Sequence, residues 1–271
     1  MTDKTISQLS AASTLTGPEL VPIVQGGTTV RTTVQNIGNY TPAGKSYTLL
    51  ENAIPFVIVS SGTMGNNGAL SGITAVATAY TSAYVYLPAN AIVAGSAAGW
   101  YYAVFSTTTA ATVYNNVYTS GVPTVPSSPT AFATTGPGAY TQTTGLLPSL
   151  TVTLPANSIG KNGTIDFEVE TTQTNNANNK FVYVMADAVT YLLTLNAFSL
   201  SYANTISHLR ARGVTNRLSS TVIHSGGSAF GSGAVVRVLD MTAQHTIDLR
   251  PSLANAADTL TIEGVKISVM P

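Results

Sequence analysis

The chain contains no cysteine, which removes disulfide frameworks and thiolate metal sites and suits folding in a reducing cytoplasm. Charge is the second scarcity. Asp, Glu, Lys and Arg make up 8% of the 271 residues, against about 25% in an ordinary soluble domain. The 11 basic and 11 acidic residues cancel, so no net field draws the chain to nucleic acid or to an anionic membrane. Long apolar runs are missing too. The most apolar stretch, AIVAGSAAGWYYAVF at 91–105, is shorter than the ~20 residues of a membrane helix and is broken by glycine. The opening residues, MTDKTIS, lack the basic and apolar regions of a secretory leader. Together with irregular strand spacing this argues against a membrane barrel, and a soluble protein is expected.

The scarcity of charge is uneven. From Asn52 to Gly160 there is no Asp, Glu, Lys, Arg or His. Such a span offers hydroxyls, amides and phenols, but no conventional acid–base pair. Its surface must be built from Ser, Thr, Asn and Gln, which suits packing between subunits or contact with uncharged ligands such as sugars.

What is present reads as strand and turn. In a first part, residues 1–45, LVPIVQ and TTVRTT flank Gly26-Gly27, and glycine pairs supply the positive φ of a tight hairpin turn. Thr33 then caps a single expected helical turn over VQNIGNY. An isolated hairpin is marginal in water, so this one rests either on its own domain or on a partner. The second part, residues 46–135, has expected strands at 56–60, 72–87, 100–106 and 112–119, with a weaker one at 130–134. Val76, Tyr80, Tyr84 and Tyr86 share one parity of the second. A Pro-, Gly- and Ser-rich stretch at 120–148 reads as a linker or strap. In the third part, 136–271, strands are expected at 150–154, 163–172, 180–186, 189–202, 205–212, 219–224, 233–239, 243–249 and 258–270. No helical period extends beyond a turn or two. The class is all-β: a hairpin followed by β-sandwich or jelly-roll-like domains.

Few residues could carry chemistry. Asp166, Glu168 and Glu170 alternate along one strand and share a face. They could chelate Ca²⁺ or frame a glycosidase pair, but a solvent-facing strand side is the simpler reading. Arg210 and Arg212 also share a strand face, so a cross-strand or inter-subunit ladder with the three carboxylates is one expectation. His208, His224 and His245 show no metal-ligand spacing, and neither a catalytic triad nor a phosphate loop is supported, the Gly-rich run at 226–233 leading into a strand rather than a helix. Trp100, Tyr101, Tyr102, Tyr114 and Tyr118 cluster in the uncharged span. Aromatics on a neutral face can stack on sugar rings, whereas ordinary burial makes them core, which is the preferred reading. No motif requires a cofactor or metal, and no enzyme is expected.

A resemblance adds to this. ISQL at 6–9, LTGPELVPIVQGG at 15–27 and RTTV at 31–34 resemble an N-terminal segment of tail-fibre and other virion-surface proteins of tailed bacteriophages. GPGAYTQTTG, LPANSIGKNGTIDFEVETTQTNNANNK and LANAADTLTIEGVKISV are similar to β-sandwich modules of phage structural proteins. The resemblance implies a virion protein assembled in the host cytoplasm. It implies attachment to other virion proteins through residues 6–38, with Leu20, Val21, Ile23, Val24, Gly26, Gly27, Arg31 and Val34 as docking residues. A homotrimer and a host-surface glycan are the further partners it suggests. A tail fibre or receptor-binding component is the first expectation, a head fibre or capsid decoration protein the second, and a glycan hydrolase using the three carboxylates the third.

Overall fold

The structure, a computed structural model, describes residues 20–25, 28–33, 46–52, 54–59, 61–132, 138–141, 145–146, 150–197, 200–225 and 235–271. Chain contacts divide it into two units, Met1–Lys45 and Ser46–Pro271. In the first, β1 (Leu20–Gln25) and β2 (Thr28–Thr33) pair antiparallel, from Leu20 opposite Thr33 to Gln25 opposite Thr28. That register leaves two residues for the turn, as the Gly26-Gly27 signal requires. The expected helical turn after Thr33 lies outside the described residues.

The second unit is all-β, with one 3-10 turn, at Asn66–Gly68, among its described residues. It begins with β3 (Tyr47–Asn52), β4 (Phe56–Ile58), β5 (Ser61–Met64), β6 (Ala69–Ser71) and β7 (Ala83–Leu87). Next come β8 (Gly99–Thr107), β9 (Ala110–Tyr118), β10 (Gly138–Thr141), β11 (Gly145–Leu146) and β12 (Leu150–Leu154). The remainder are β13 (Thr164–Gln173), β14 (Lys180–Ala186), β15 (Thr190–Ala197), β16 (Tyr202–Ala211), β17 (Arg217–Ser225), β18 (Val235–Val238), β19 (His245–Leu253) and β20 (Leu260–Met270). They form a 13-stranded sheet, ordered β10-β5-β6-β9-β8-β7-β4-β20-β13-β16-β17-β18 with β3 also on β20, and a 5-stranded sheet, β11-β19-β14-β15 with β12 also on β19.

The C-terminal strands alternate as their sequence dictates. In β13 Ile165, Phe167 and Val169 are buried while Asp166, Glu168 and Glu170 are less so. These apolar residues join Val182 and Val184 of β14, Leu150 and Leu154 of β12 and Ile247 and Leu249 of β19 in one core between the two sheets. This part is a β-sandwich.

The uncharged residues add a second layer of core. Strands β4 to β10 of this span continue the large sheet, because β4 pairs with both β20 and β7. One face turns Phe56, Tyr84, Trp100 and Tyr118 into the sandwich core. The other gathers Val57, Leu70, Val85, Tyr101, Phe105 and Val113 under the loop that carries Ile73, Val76 and Tyr80. The long strand expected over 72–87 is shortened accordingly to Ala83–Leu87. Val76 and Tyr80 do not share a face with Tyr84 and Tyr86: the first two lie in one core cluster and the last two in the other. The cause is a crossover. β4 and β7 are parallel, and a parallel pair needs a long connection, which residues 72–82 help to make. Gly68 fits this layer closely: at φ +73, an added Cβ would stand 2.1 Å from the Val113 carbonyl oxygen.

Phe56 sits where the layers meet, with its ring stacked 5.4 Å from Tyr84 and edge-on to Trp100 and Tyr118, both at 5.1 Å. Phe56→Ala is expected to cost about 3–5 kcal/mol, the usual loss for a buried aromatic. Urea unfolding followed by the emission of the one tryptophan measures it, and a loss below about 1 kcal/mol would mean that the seam does not depend on this ring.

Candidate functional site

The aromatic cluster is interior. Trp100 is 2% exposed, and Tyr101, Tyr102 and Tyr118 are also buried; Tyr114, half-buried, packs against Tyr102 at 5.6 Å. Their phenols are satisfied locally. Tyr118 donates to the Gly121 carbonyl at 2.9 Å, Tyr101 to Ala97 at 3.0 Å and the neighbouring Tyr84 to Thr124 at 2.9 Å. Burial of that depth leaves no ring face of Trp100, Tyr101, Tyr102 or Tyr118 for a sugar, and these four are core. The described start of the Pro-rich stretch is a strap: Gly121 and Thr124 accept these phenols, and the Gly121 amide donates to Thr151.

The three carboxylates lie on the outer face of β13, as the alternation predicts. Their partners differ from the expected arginine ladder. Asp166 stands opposite His208, with 2.6 Å between Oδ1 and Nδ1. Glu168 lies between Ile206 of β16 and Lys266 of β20 and accepts from the Asn204 amide at 3.4 Å. Glu170 is opposite Asn204 and Gly264. Arg210 falls at the far end of the strand, opposite Thr164 and Ser219, and Arg212 lies beyond β16. Within one chain, sharing a face therefore does not make a ladder, because register puts the cationic partners out of step. The exposed Lys266–Glu51 pair at 3.9 Å contributes about 0–1 kcal/mol.

His245 has acceptors on both ring nitrogens: Asp187 at 2.7 Å from Nδ1 and the Asp240 carbonyl at 2.6 Å from Nε2. Burial pushes the Asp187 carboxyl up, but hydrogen bonds from the Thr246 amide and His245 outweigh it and hold the group below its ordinary range. This clasp, with Asp248 accepting from the Ala188 amide and the Thr151 hydroxyl, fixes the β14–β15 turn against β19. The His224 side chain and the Gly-rich run after β17 lie outside the described residues. Among the described residues no group of three His, Cys, Asp or Glu is placed to hold a metal ion. Of the expected docking residues, Leu20, Val21, Ile23 and Val24 lie in β1 and Arg31 in β2, whereas Gly26, Gly27 and Val34 lie outside the described residues.

Two polar centres were not anticipated. The first is Lys180, 0% exposed, against Asp258 at 1% and 3.4 Å. The ammonium also donates to Asn176 Oδ1 at 2.7 Å and to the Asn178 carbonyl at 2.9 Å. Burial pushes the Lys180 amine down, against the opposing pull of Asp258. A signal existed: Lys180 shares strand parity with Val182 and Val184, so the pattern itself aimed a lysine into the core.

The second is Glu263. β20 carries one extra residue here, since Glu170 pairs with Gly264 but Thr171 pairs with Ile262. Such a bulge re-aims the unpaired residue. Glu263 accepts from Tyr80, at 2.5 Å, and from Thr172. It gives the uncharged layer a carboxylate from the C-terminal strand. Burial, then the hydrogen bond and charge of Glu263, push the Tyr80 phenol up to about 12.

No protein-family model matches the chain, and no curated protein does. Among solved structures, peanut lectin with a 9mer peptide (PVIWSSATG) aligns over 47% of this chain and 84% of its own, at 10% identity and a TM-score of 0.28. That similarity is too low to assign a fold or a ligand.

A raised folded-state phenol pKa stabilises the fold fully below the ordinary tyrosine value, and the contribution is lost as pH rises through the folded pKa. Tyr80→Phe is expected to cost about 1–2 kcal/mol at neutral pH, with the gap between parent and variant closing as pH rises from about 10 toward 12. Urea unfolding of both proteins across that range provides the check; a gap that stays constant would show that the phenol's proton is not coupled to folding.

Proposed function

We propose that the chain is a non-catalytic structural protein of a bacteriophage particle, held through residues 6–38 and presenting the β body outward. The observation that carries the reading is the division at Lys45–Ser46. It separates the segment that resembles the phage attachment region from one compact all-β body, as an anchor with a displayed module would require. The neutral character of residues 52–160 supports the same reading. Their charge-free surface favours contact through hydroxyls and amides, with little like-charge repulsion between copies. On the outer sheet face Tyr202, Ile206, Val236, Val238 and Met270 are exposed, Val238 at 71%, which suits packing against another chain. A homotrimer and a host-surface glycan belong to the proposal. Burial of the aromatic cluster moves any glycan contact elsewhere on the body.

Gold-labelled antibody against the body, applied to intact particles in electron microscopy, tests this. Label at the tail is expected and makes host attachment the role. Label over the head converts the reading to head fibre or decoration protein, and absence of label from purified particles overturns it. Removal of residues 1–45 is expected to leave a folded body that no longer joins the particle, which sedimentation of particles with the truncated chain would show.

A further inference from the structure

One cluster of polar side chains among the described residues is not used by the proposed function. Lys180, Asn176 and Asp258 form a closed triangle at the start of β14, where the loop leaving β13 meets the segment entering β20. Lys180 Nζ stands 2.7 Å from Asn176 Oδ1, one bond from the carboxamide carbon. Asp258 touches both ends of the pair: its Oδ1 accepts from Asn176 Nδ2 at 2.6 Å, and its Oδ2 lies 3.4 Å from Nζ. That Oδ2 is buried and accepts no hydrogen bond, so a lone pair is free to face the amine. The Asn178 backbone N–H donates to Asn176 Oδ1 at 3.1 Å, where negative charge would develop if the carboxamide were attacked.

We propose that Lys180 and Asn176 join in an autocatalytic isopeptide bond, with Asp258 as the proton carrier. Nζ forms a bond to Cγ of Asn176. Asp258 takes a proton from Nζ and passes one to Nδ2; the Cγ–Nδ2 bond breaks, its electron pair goes to nitrogen, and ammonia leaves. The product is a secondary amide. No oxidant, metal or second reactant is needed, and redox states do not change. Each requirement of acyl transfer has a named group. The nucleophile is an amine that burial disposes to be neutral. The proton carrier spans nucleophile and leaving group. The Asn178 amide stabilises the oxyanion, and proximity supplies the encounter. Asn176 is half-buried while Lys180 and Asp258 are closed to water, so ammonia has a way out at the loop surface and the reacting amine stays dry. The alternative is an ordinary buried ion pair, whose ammonium donates to Asn176 Oδ1 and the Asn178 carbonyl with the Asp258 carboxylate beside it. The proposal does not depend on the role in a particle.

Mass spectrometry of the full-length chain in denaturant decides between them. A mass lower than the sequence mass by one ammonia is expected. After denaturation, trypsin is expected to fail after Lys180, leaving one peptide over 162–210 that carries the deficit. Asp258→Asn, checked for folding by circular dichroism, is expected to restore both the full mass and the cleavage. Should that variant not fold, Asn176→Ala, at a half-exposed position, is expected to do the same. The full sequence mass with normal cleavage in the unsubstituted protein overturns the proposal. An ammonia deficit that persists in Lys180→Met overturns it too, by locating the loss in a succinimide at Asn176. Loss of one water, with Asp258 in the linked peptide, overturns the assignment of Asn176, and a crosslink that survives in folded Asp258→Asn overturns the role of Asp258.

Discussion

Strand β20 must find hydrogen-bond partners for both of its edges, and the rest of the body is arranged by how it does so. One edge is filled along its length by β13. The other is shared: residues 265–269 pair with β3, and 260–262 pair with β4. Two strands on one edge require a turn between them and a change of spacing on the strand that hosts them. Asn52 makes the turn, its side chain bonding both the amide and the carbonyl of Ile54. The bulge at Glu263 makes the change of spacing. Because β4 then pairs with β7 on its far side, the sheet of the uncharged layer is continuous with that of the sandwich through this joint. A buried strand edge left unpaired there would be costly.

The joint also explains how a stretch without ionisable side chains other than tyrosine folds as a well-anchored layer. Three of its phenols bond outside their own strands: Tyr84 and Tyr118 to backbone carbonyls of the strap and Tyr80 to the carboxylate that the bulge re-aims. Neutral partners avoid the desolvation that buried charges would impose. Buried charge among the described residues stands at Lys180, Asp258 and, on β19, Asp248. Lys180 and Asp258 lie beside the threonine pair Thr174 and Thr259, whose hydroxyls are 2.9 Å apart.

Much of the C-terminal half was legible in the sequence because its strands face core on one side and solvent on the other. The alternation of Ile165, Phe167 and Val169 with three carboxylates leaves little choice of element or face. All nine strands expected there exist, with ends displaced by a few residues. The uncharged half was less legible. Its strands are covered on both faces, so alternation is lost: β7 is buried at every position. Over 72–82 the small residues Ala, Ser and Thr give no period to read. Within the larger unit, register was not legible. Arg210 and the carboxylates share a face, yet only the pairing of Thr164 with Arg210 shows that they are out of step. Glu263 looks in the sequence like any strand residue, and its function at the joint exists only because a non-local pairing slips by one.

The two unanticipated polar centres share a logic. A chain with so few charges can draw register from each one it buries, because a misplaced strand would leave that charge without its partner. Sliding β20 by two residues, which keeps its buried face inward, would move Glu263 from Tyr80 and shift the strand start away from Asp258 and Lys180. Apolar contacts alone tolerate such slips better, since Val, Ile and Leu recur along β20 and its neighbours. Charge here is scarce and placed where backbone pairing is most ambiguous: at the entry to the central strand and at the point where its partner changes. On this argument Lys180, Asp258 and Glu263 serve the alignment of β20 in a chain that has few other charges for that task.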